Sequence, residues 1–170
     1  NYLTKLLNCP VEQGMNQAIY LEIWNYLTKL FNCPVEQGLQ NNSPLSQDGI
    51  VMTLMPYSEA LDQPTYDNAD NISTIQNSRA FMMQLDFYGV QAFNRANQVA
   101  VMWRSTYTTN ELITIQPLYN NQVRNLEYVN EQDQYEQRFM LEIALQYNPH
   151  YTYTEQSDTD IPSPDISSPF

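Results

Sequence analysis

Histidine and cysteine are scarce in this chain, which argues against most catalytic and metal-binding chemistry. The chain has one histidine, His150, and two cysteines, Cys9 and Cys33. A Ser-His-Asp or Cys-His site would have to use His150, and a metal centre needs clustered histidines, cysteines or carboxylates. His150 follows Asn148-Pro149 at the end of a predicted strand, where a solvated loop histidine is far more common than a general base. We therefore predict no enzyme activity and no catalytic, cofactor-binding or metal-binding residue.

Glycine is equally scarce, and the acidic motifs are incomplete. The four glycines, at positions 14, 38, 49 and 89, form no phosphate-cradling loop. Residues 67–71, Asp-Asn-Ala-Asp-Asn, resemble half of a calcium loop but lack its sixth-position glycine and twelfth-position glutamate, so a polar turn is the favoured interpretation. Glu127, Glu131 and Asp133 surround a predicted hairpin end as ordinary solvated acids. The triplets at 41–43 and 71–73 match the glycosylation pattern, but nothing indicates secretion.

Basic residues are few and dispersed. Seven bases stand against 19 acids, which gives a formal net charge of −12. No basic cluster is present to neutralise phosphates, so tight nucleic-acid binding is not expected; an acidic protein can still surround DNA that slides past it. No apolar run approaches the roughly 20 residues of a membrane span. The bases are Lys5, Lys29, Arg79, Arg95, Arg104, Arg124 and Arg138.

The N-terminus contains a repeat. Residues 1–14, NYLTKLLNCPVEQG, return as NYLTKLFNCPVEQG at 25–38, with a single difference. Two copies are too few for a solenoid, which needs about three, so the repeat is either a recent duplication or an error in the sequence. Cys9 and Cys33 are equivalent positions of the two copies, which favours free thiols over a disulfide. We place the start of the domain near Asn16.

Hydrophobic periodicity predicts one domain in the order α-β-β-α-β-β-β. Ile19, Ile23, Leu27 and Leu30 share one face of a predicted first helix, and residues 90–105 read as a second helix. Trp24 and Trp103, one on each helix, are expected to pack against the sheet. Residues 35–48 and 58–78 are polar and loop-like. The predicted strands are 49–57, 79–88, 111–118, 123–129 and 135–147.

Two strands alternate regularly enough to assign their faces. Phe81, Met83, Leu85 and Phe87 fall on one face of the first. The last strand has an apolar face that consists of Tyr135, Phe139, Leu141, Ile143, Leu145 and Tyr147, with Gln137 as its one polar member. Its other face contains Arg138, Met140 and Glu142. Such alternation indicates an antiparallel sheet buried on one side.

These patterns together predict an α+β fold, in which an antiparallel sheet of about four to five strands packs under two helices and carries extended N- and C-terminal arms. The predicted units are a duplicated extension at 1–15, a single domain at 16–153 and an acidic, Pro/Ser-rich tail at 154–170. The tail cannot form a core. We expect it to become ordered only against a neighbouring subunit, with Ile161, Ile166 and Phe170 as anchors.

From about Ala18 to Tyr153 the chain resembles the phage neck terminator family, also described as tail terminators or tail-completion proteins. The matching segments are an opening helix with an aromatic centre, an asparagine-rich stretch leading into a strand, a strand that turns at an aromatic-glycine pair into a long helix, and a closing strand. They are IYLEIWNYLTKLF, QNNSPLSQDGIVMTLMPY, RAFMMQLDFYGVQAFNRANQVAVMWRS and QYEQRFMLEIALQY. Residues 1–15 and the acidic tail depart from the family pattern.

The resemblance implies a structural virion protein of a tailed phage, assembled in the host cytoplasm. It implies a ring, usually a hexamer, that terminates the tail tube, joins it to the head connector and leaves a channel for the genome. The implied partners are further copies of the chain, connector or adaptor proteins and the tail-tube protein, with DNA passing without tight binding. Two alternatives stay open: another head–tail adaptor or a tail-tube subunit, and an unrelated enzyme or binding module.

Overall fold

A computed structural model describes residues 11–39, 47–69, 72–126, 128–129 and 135–154. The three helices of this part of the chain are α1 (Val11–Leu30), α2 (Ala92–Met102) and α3 (Thr106–Glu111). Its strands are β1 (Val35–Gln37), β2 (Ile50–Ala60), β3 (Thr65–Ala69), β4 (Ile72–Gln76), β5 (Arg79–Tyr88), β6 (Ile115–Asn120), β7 (Arg124–Asn125), β8 (Tyr128–Val129), β9 (Tyr135–Glu136), β10 (Arg138–Tyr147) and β11 (His150–Thr154).

The largest sheet in the described residues is mixed and has six strands, in the order β1-β2-β5-β10-β6, with β7 also paired to β10. Strand β1 runs parallel to β2, and the other pairs are antiparallel. The central pair is β5 with β10, which stay in register from Arg138 opposite Tyr88 to Tyr147 opposite Arg79. This long two-stranded ribbon forms the centre of the main sheet.

The predicted buried faces of β5 and β10 are confirmed. Met83, Leu85 and Phe87 of β5 are fully buried, and Phe81 is 5% exposed. The matching positions of β10 that are fully buried are Leu141, Ile143 and Leu145, while Phe139 and Tyr147 are partly buried and pack against the core. The opposite face of β10 is less open than the alternation suggested, since Met140 and Ala144 are also buried.

Helices α1 and α2 contribute to the same core as the sheet. Helix α1 contributes Ile19, Ile23, Tyr26 and Leu27, and α2 contributes Ala92, Ala96 and Val99. Trp103, directly after α2, is fully buried; its indole Nε1 donates to the Ala144 carbonyl at 3.1 Å, and its ring meets Tyr26 edge-on at 6.2 Å. The expected packing of Trp103 is therefore confirmed, whereas Trp24 is 41% exposed and donates to the Val35 carbonyl at the sheet edge.

The predicted fold class is wrong. The described residues are predominantly strand and form the mixed six-stranded sheet, a second sheet in the order β11-β4-β3, and a small β8–β9 pair, instead of four to five antiparallel strands under two helices. Residues 58–78, predicted to be a loop, contain β3 and β4, and His150 begins strand β11 instead of lying in a loop. Strands β3 and β11 consist of exposed residues and β4 fully buries only Ser73, so these strands lack the buried apolar face on which the other strand predictions rested.

Several boundaries also differ from the predictions. Helix α1 begins at Val11 instead of Asn16, and Met15 packs against the core. The second predicted helix ends at Met102, and Ser105 starts the separate helix α3 by accepting a hydrogen bond from the Thr108 N–H at 3.3 Å. Strand β1, in a segment predicted to be loop, has three residues and is too short to show a period of two.

One turn and one strand irregularity depend on the residue types present there. Gly89, between β5 and α2, has a φ of 91°, and an added Cβ would lie 2.5 Å from Asp48 Oδ1, so glycine is required there. Strand β2 shifts register against β5 between Leu54 and Ser58, a stretch that includes Pro56. Proline lacks the N–H that a regular ladder needs and is tolerated at such irregularities. Leu54 of β2 lies past Met52, the last β2 residue that pairs with β1, and its N–H donates to the Tyr20 hydroxyl at 2.7 Å.

Candidate assembly interface

The second sheet is an arm that continues the central ribbon beyond the core. Two residues separate β4 from β5, and two separate β10 from β11, so the pairing of β5 with β10 continues as the pairing of β4 with β11. Strand β3 adds to the other side of β4. Five-residue strands extend about 17 Å. The arm therefore lengthens the central ribbon by about this distance.

The register gives the arm one aromatic face. Tyr66, Ile75 and Tyr151 stand side by side across its three strands, and Tyr153 lies opposite Ser73 on the same face. Tyr66 is 65% exposed, and Tyr151 and Tyr153 are each 47% exposed. Tyrosine is enriched in protein interfaces. The aromatic face is therefore a candidate contact surface.

A cleft of about 620 Å³ lies where the arm joins the body. Its body wall consists of Met15 from α1, Ser58 and Ala60 from β2, and Arg79 and Phe81 from β5. Its arm wall includes Ile75 of β4, Tyr151 of β11 and Pro149 between β10 and β11. The volume lies within the roughly 300–1,000 Å³ typical of ligand sites. The cleft combines apolar walls with one cation, Arg79, and one acid, Asp62, whose carboxylate accepts from the Ser78 N–H at 3.0 Å.

The polar groups of the cleft are only partly satisfied. Arg79 donates from Nε to Ser58 Oγ at 2.9 Å and from Nη2 to the Ser58 carbonyl at 3.2 Å, and no carboxylate among the described residues forms an ion pair with it. Asn77 Nδ2 donates to the main-chain and carboxylate oxygens of Asp62. Asn77 Oδ1 is buried and has no hydrogen-bond partner. A buried acceptor without a donor is energetically costly.

The outer face of the main sheet carries a self-contained ion pair. Asp86 is only 4% exposed, and its carboxylate accepts from Arg138 at 3.0 and 3.1 Å and from Gln84 Nε2 at 2.7 Å. The Arg138 guanidinium also lies 5.8 Å from the centroid of the Tyr88 ring. Because each charge is matched, this cluster has a structural role.

The other basic residues are also largely occupied. Lys29 pairs with Glu111 at 2.6 Å, Arg95 with Asp48 at 2.6 Å and Arg124 with Glu142 at 3.2 Å. Across the described ranges, only Arg79 and Arg104 lack an ion pair of this kind. Among the described residues there is therefore no basic patch that could follow a nucleic-acid backbone.

The residues weighed from sequence as chemical candidates do not converge. His150 is exposed at the start of β11, opposite Gln76. Asp67 lies in β3, and Ser73 of β4 is fully buried and donates to Asn68 Oδ1 at 2.6 Å, so these residues belong to a strand pair instead of a polar turn. The part of the chain that the structure describes has no group of three potential metal ligands. The remaining candidates, Cys9, residues 41–43, Asp70, Asn71, Glu127, Glu131 and Asp133, lie outside the described residues.

Burial shifts two titrating groups. Cys33 is a free, half-buried cysteine, and desolvation raises its pKa, with Arg95 opposing and Asp48 reinforcing the change. Desolvation also raises the pKa of Tyr26, against the opposing effect of its 2.9 Å hydrogen bond with Thr108. Both side chains are protonated at neutral pH, so neither gains catalytic character. Met83 is fully buried in the core, and Met82 is partly exposed on the other face of β5.

The sequence matches the phage neck terminator protein family over residues 17–167. The chain belongs to this family. None of the curated proteins matches it. Membership makes the neck terminator a structural protein of the virion, located at the phage neck and tail, and confirms the resemblance seen in the sequence. No helix in the described ranges has the length and apolar character needed to cross a bilayer.

The matched range can be compared with the two ends of the chain. It begins at residue 17 and so leaves out all of the first repeat copy, residues 1–14. It extends to residue 167 and therefore includes most of the acidic tail that follows β11. Sequence reasoning placed the tail outside the family pattern, and this placement is wrong. The arm and the cleft were missed because their residues come from segments that are distant in the chain.

Proposed function

We propose that this neck terminator assembles into a ring of six copies at the phage neck, where the ring ends the tail tube, joins it to the head connector and surrounds the passing genome. The observation that carries the proposal is the family match over most of the chain. The exposed arm supports it, because an uncovered sheet with aromatic side chains is suited to contact between copies. Assembly of the ring in the host cytoplasm, before joining to head and tail, belongs to the same proposal.

Charge supports passage of DNA without tight binding. Six copies at −12 each carry a formal charge of −72, and four of the basic side chains are paired with carboxylates. Repulsion between an acidic lumen and DNA favours sliding. At about 0.15 M salt the Debye length is near 8 Å, so only close contacts contribute to binding. We therefore expect no measurable duplex binding at that salt concentration, and a salt-sensitive complex of micromolar affinity would overturn this part of the proposal.

A tail-tube subunit is the second candidate, because the described residues are predominantly strand and tube proteins are rich in strands. Electron microscopy of the purified full chain separates the two. A terminator should give single closed rings of uniform size, whose copy number can be checked by mass photometry. Open tubes of increasing length would favour the tube subunit, and a monomer at all concentrations would contradict both. Function as a terminator without substrate turnover also predicts that His150→Ala leaves assembly and infectivity unchanged.

A further inference from the structure

We propose that the cleft at the base of the arm receives an aspartate-isoleucine pair from the C-terminal segment, residues 155–170, of a second copy of the chain. This inference rests on the proposed self-assembly and adds to it a receptor, a ligand segment and the contacts between them. The argument uses the chemistry of the cleft, the composition of the segment and the position at which the described chain ends.

The cleft lacks two partners that a peptide can supply. Arg79 has two of its donors fixed by Ser58 and has no carboxylate partner among the described residues. Asn77 Nδ2 faces two oxygens of Asp62, which fixes the orientation of its amide and leaves Oδ1 as the buried acceptor without a donor. A carboxylate would match Arg79, and a peptide N–H would match Asn77 Oδ1.

The C-terminal segment contains the complementary groups twice. Residues 155–170 include four acids and no base, and two acids are followed directly by isoleucine, at Asp160-Ile161 and Asp165-Ile166. An aspartate next to an isoleucine can place its carboxylate at Arg79 while the isoleucine packs against Phe81 and Ile75. Both pairs lie within residues 17–167, the range that matches the family, whereas the first repeat copy lies outside it.

The position of Thr154 favours a second copy as the source. Thr154 lies opposite Ile72, which is the far end of the arm from Pro149 and Asn77 at the cleft. Strand β11 thus carries the chain away from its own cleft. Sixteen further residues span at most roughly 50 Å when extended, which is ample to reach a neighbouring body. Reaching its own cleft would instead require the segment to reverse directly over the arm.

Disulfide trapping in the full chain tests the contact. Cys9 and Cys33 are replaced by Ser, and chains with Ala60→Cys in the cleft wall are mixed under mild oxidation with chains carrying Ser167→Cys, which keeps both aspartate-isoleucine pairs. We expect a cross-linked dimer that forms at least tenfold faster than in the matched control, in which Val101→Cys replaces Ala60→Cys; Val101, on α2, is 82% exposed and lies outside the cleft. Equal rates would overturn the proposal. So would a doubly substituted chain, Ala60→Cys with Ser167→Cys, that only closes on itself.

Charge substitutions give an independent readout. Arg79→Gln should slow trapping about tenfold or more, the order expected for loss of one charge-assisted hydrogen bond, while Arg104→Gln should not. Since Arg79 also contacts Ser58, the double variant Asp160→Asn, Asp165→Asn removes the same ion pair from the segment side and keeps both isoleucines, with Ala60→Cys again trapped through Ser167→Cys. An unchanged rate in that variant would overturn the proposal. If rings persist while trapping is lost, the proposed contact is wrong and the proposed ring stands. If trapped pairs form but never close into rings, the contact stands and the ring is wrong.

Discussion

The two copies of the N-terminal repeat place the same sequence in different secondary structures. Val11-Glu12-Gln13-Gly14 lies in the first turns of α1, whereas Val35-Glu36-Gln37 forms β1 and is followed by a turn at Gly38. Both segments come directly after a Cys-Pro pair. Proline suits the position just before or at the start of a helix, and it equally ends a helix that precedes it. The local sequence therefore permits both structures and does not choose between them.

Tertiary contacts decide the structure of the second copy. Strand β1 lies parallel to β2 with Val35 opposite Ile50, and Ile50 N–H donates to the Pro34 carbonyl at 2.9 Å. Val35 is 9% exposed and belongs to the core. Pairing with β2 and burial of Val35 outweigh the small helix preferences of Glu36 and Gln37, and Val35 itself is a residue type that favours strands. Substitutions at equivalent positions of the two copies can test this explanation.

The largest difference is expected for Leu27→Ala and its counterpart Leu3→Ala. Leu27 is fully buried, so its truncation should lower the free energy of unfolding by about 2–5 kcal/mol. Residue 3 precedes the range matched by the family, so we expect a much smaller loss there. Urea denaturation of both variants measures the difference. Equal losses would show that the first copy contributes as much to the core as the second, contrary to a family match that begins at residue 17.

Gly38→Ala should destabilise the protein by about 1 kcal/mol or more. An added Cβ would collide with Thr53 Oγ1 and lie 3.2 Å from Val51 Cγ1 and 3.3 Å from the Met52 carbonyl oxygen, so the Thr53 side chain or the backbone after β1 would have to shift. The double variant with Thr53→Ala sharpens the test by removing the closest contact. Thermal unfolding should show that it recovers part of the loss, and no loss in the single variant would contradict the close approach.

Gly14→Ala should change stability in the opposite direction. Gly14 lies within α1, and nothing is within 4 Å of an added Cβ. Alanine in a helix interior is favoured over glycine by about 0.5–1 kcal/mol. The same chemical substitution is therefore stabilising in one copy and destabilising in the other. A decrease in the free energy of unfolding for Gly14→Ala, measured in the same urea experiment, would contradict helix formation at that position.

The buried ribbon of the fold was predictable, and the arm was not. Met83 and Leu141 lie on strands that alternate between apolar and polar residues, so their burial follows from periodicity alone. Strand β11 contains only exposed residues and is held by pairing with β4, some 75 positions earlier in the chain. Such pairing depends on the continuation of β5 and β10 and does not require a buried apolar face in either segment.

The candidate interface could likewise be predicted only in part from the sequence. Arg79 looks in the sequence like one of several scattered bases, and its lack of a carboxylate partner becomes visible only when Phe81, Asn77 and Tyr151 are brought around it. The acidic segment was identifiable from its composition, and so was its need for a partner. What the composition could not supply was the receptor, because the cleft contains residues from position 15 to position 151.

The smallest expected effect concerns the two cysteines and leaves stability unchanged. Desolvation raises the pKa of Cys33, so less reactive thiolate is present at pH 8 than for a solvated thiol. The Cys9→Ser variant, which keeps only Cys33, should therefore react with iodoacetamide more slowly in the native protein than in urea, because unfolding removes the burial that raises the pKa. The raised pKa of Cys33 stabilises the fold below the pKa of the unfolded thiol, and this contribution is lost as the pH rises through the folded pKa. Equal rates with and without urea would contradict the burial of Cys33 in the second copy of the repeat.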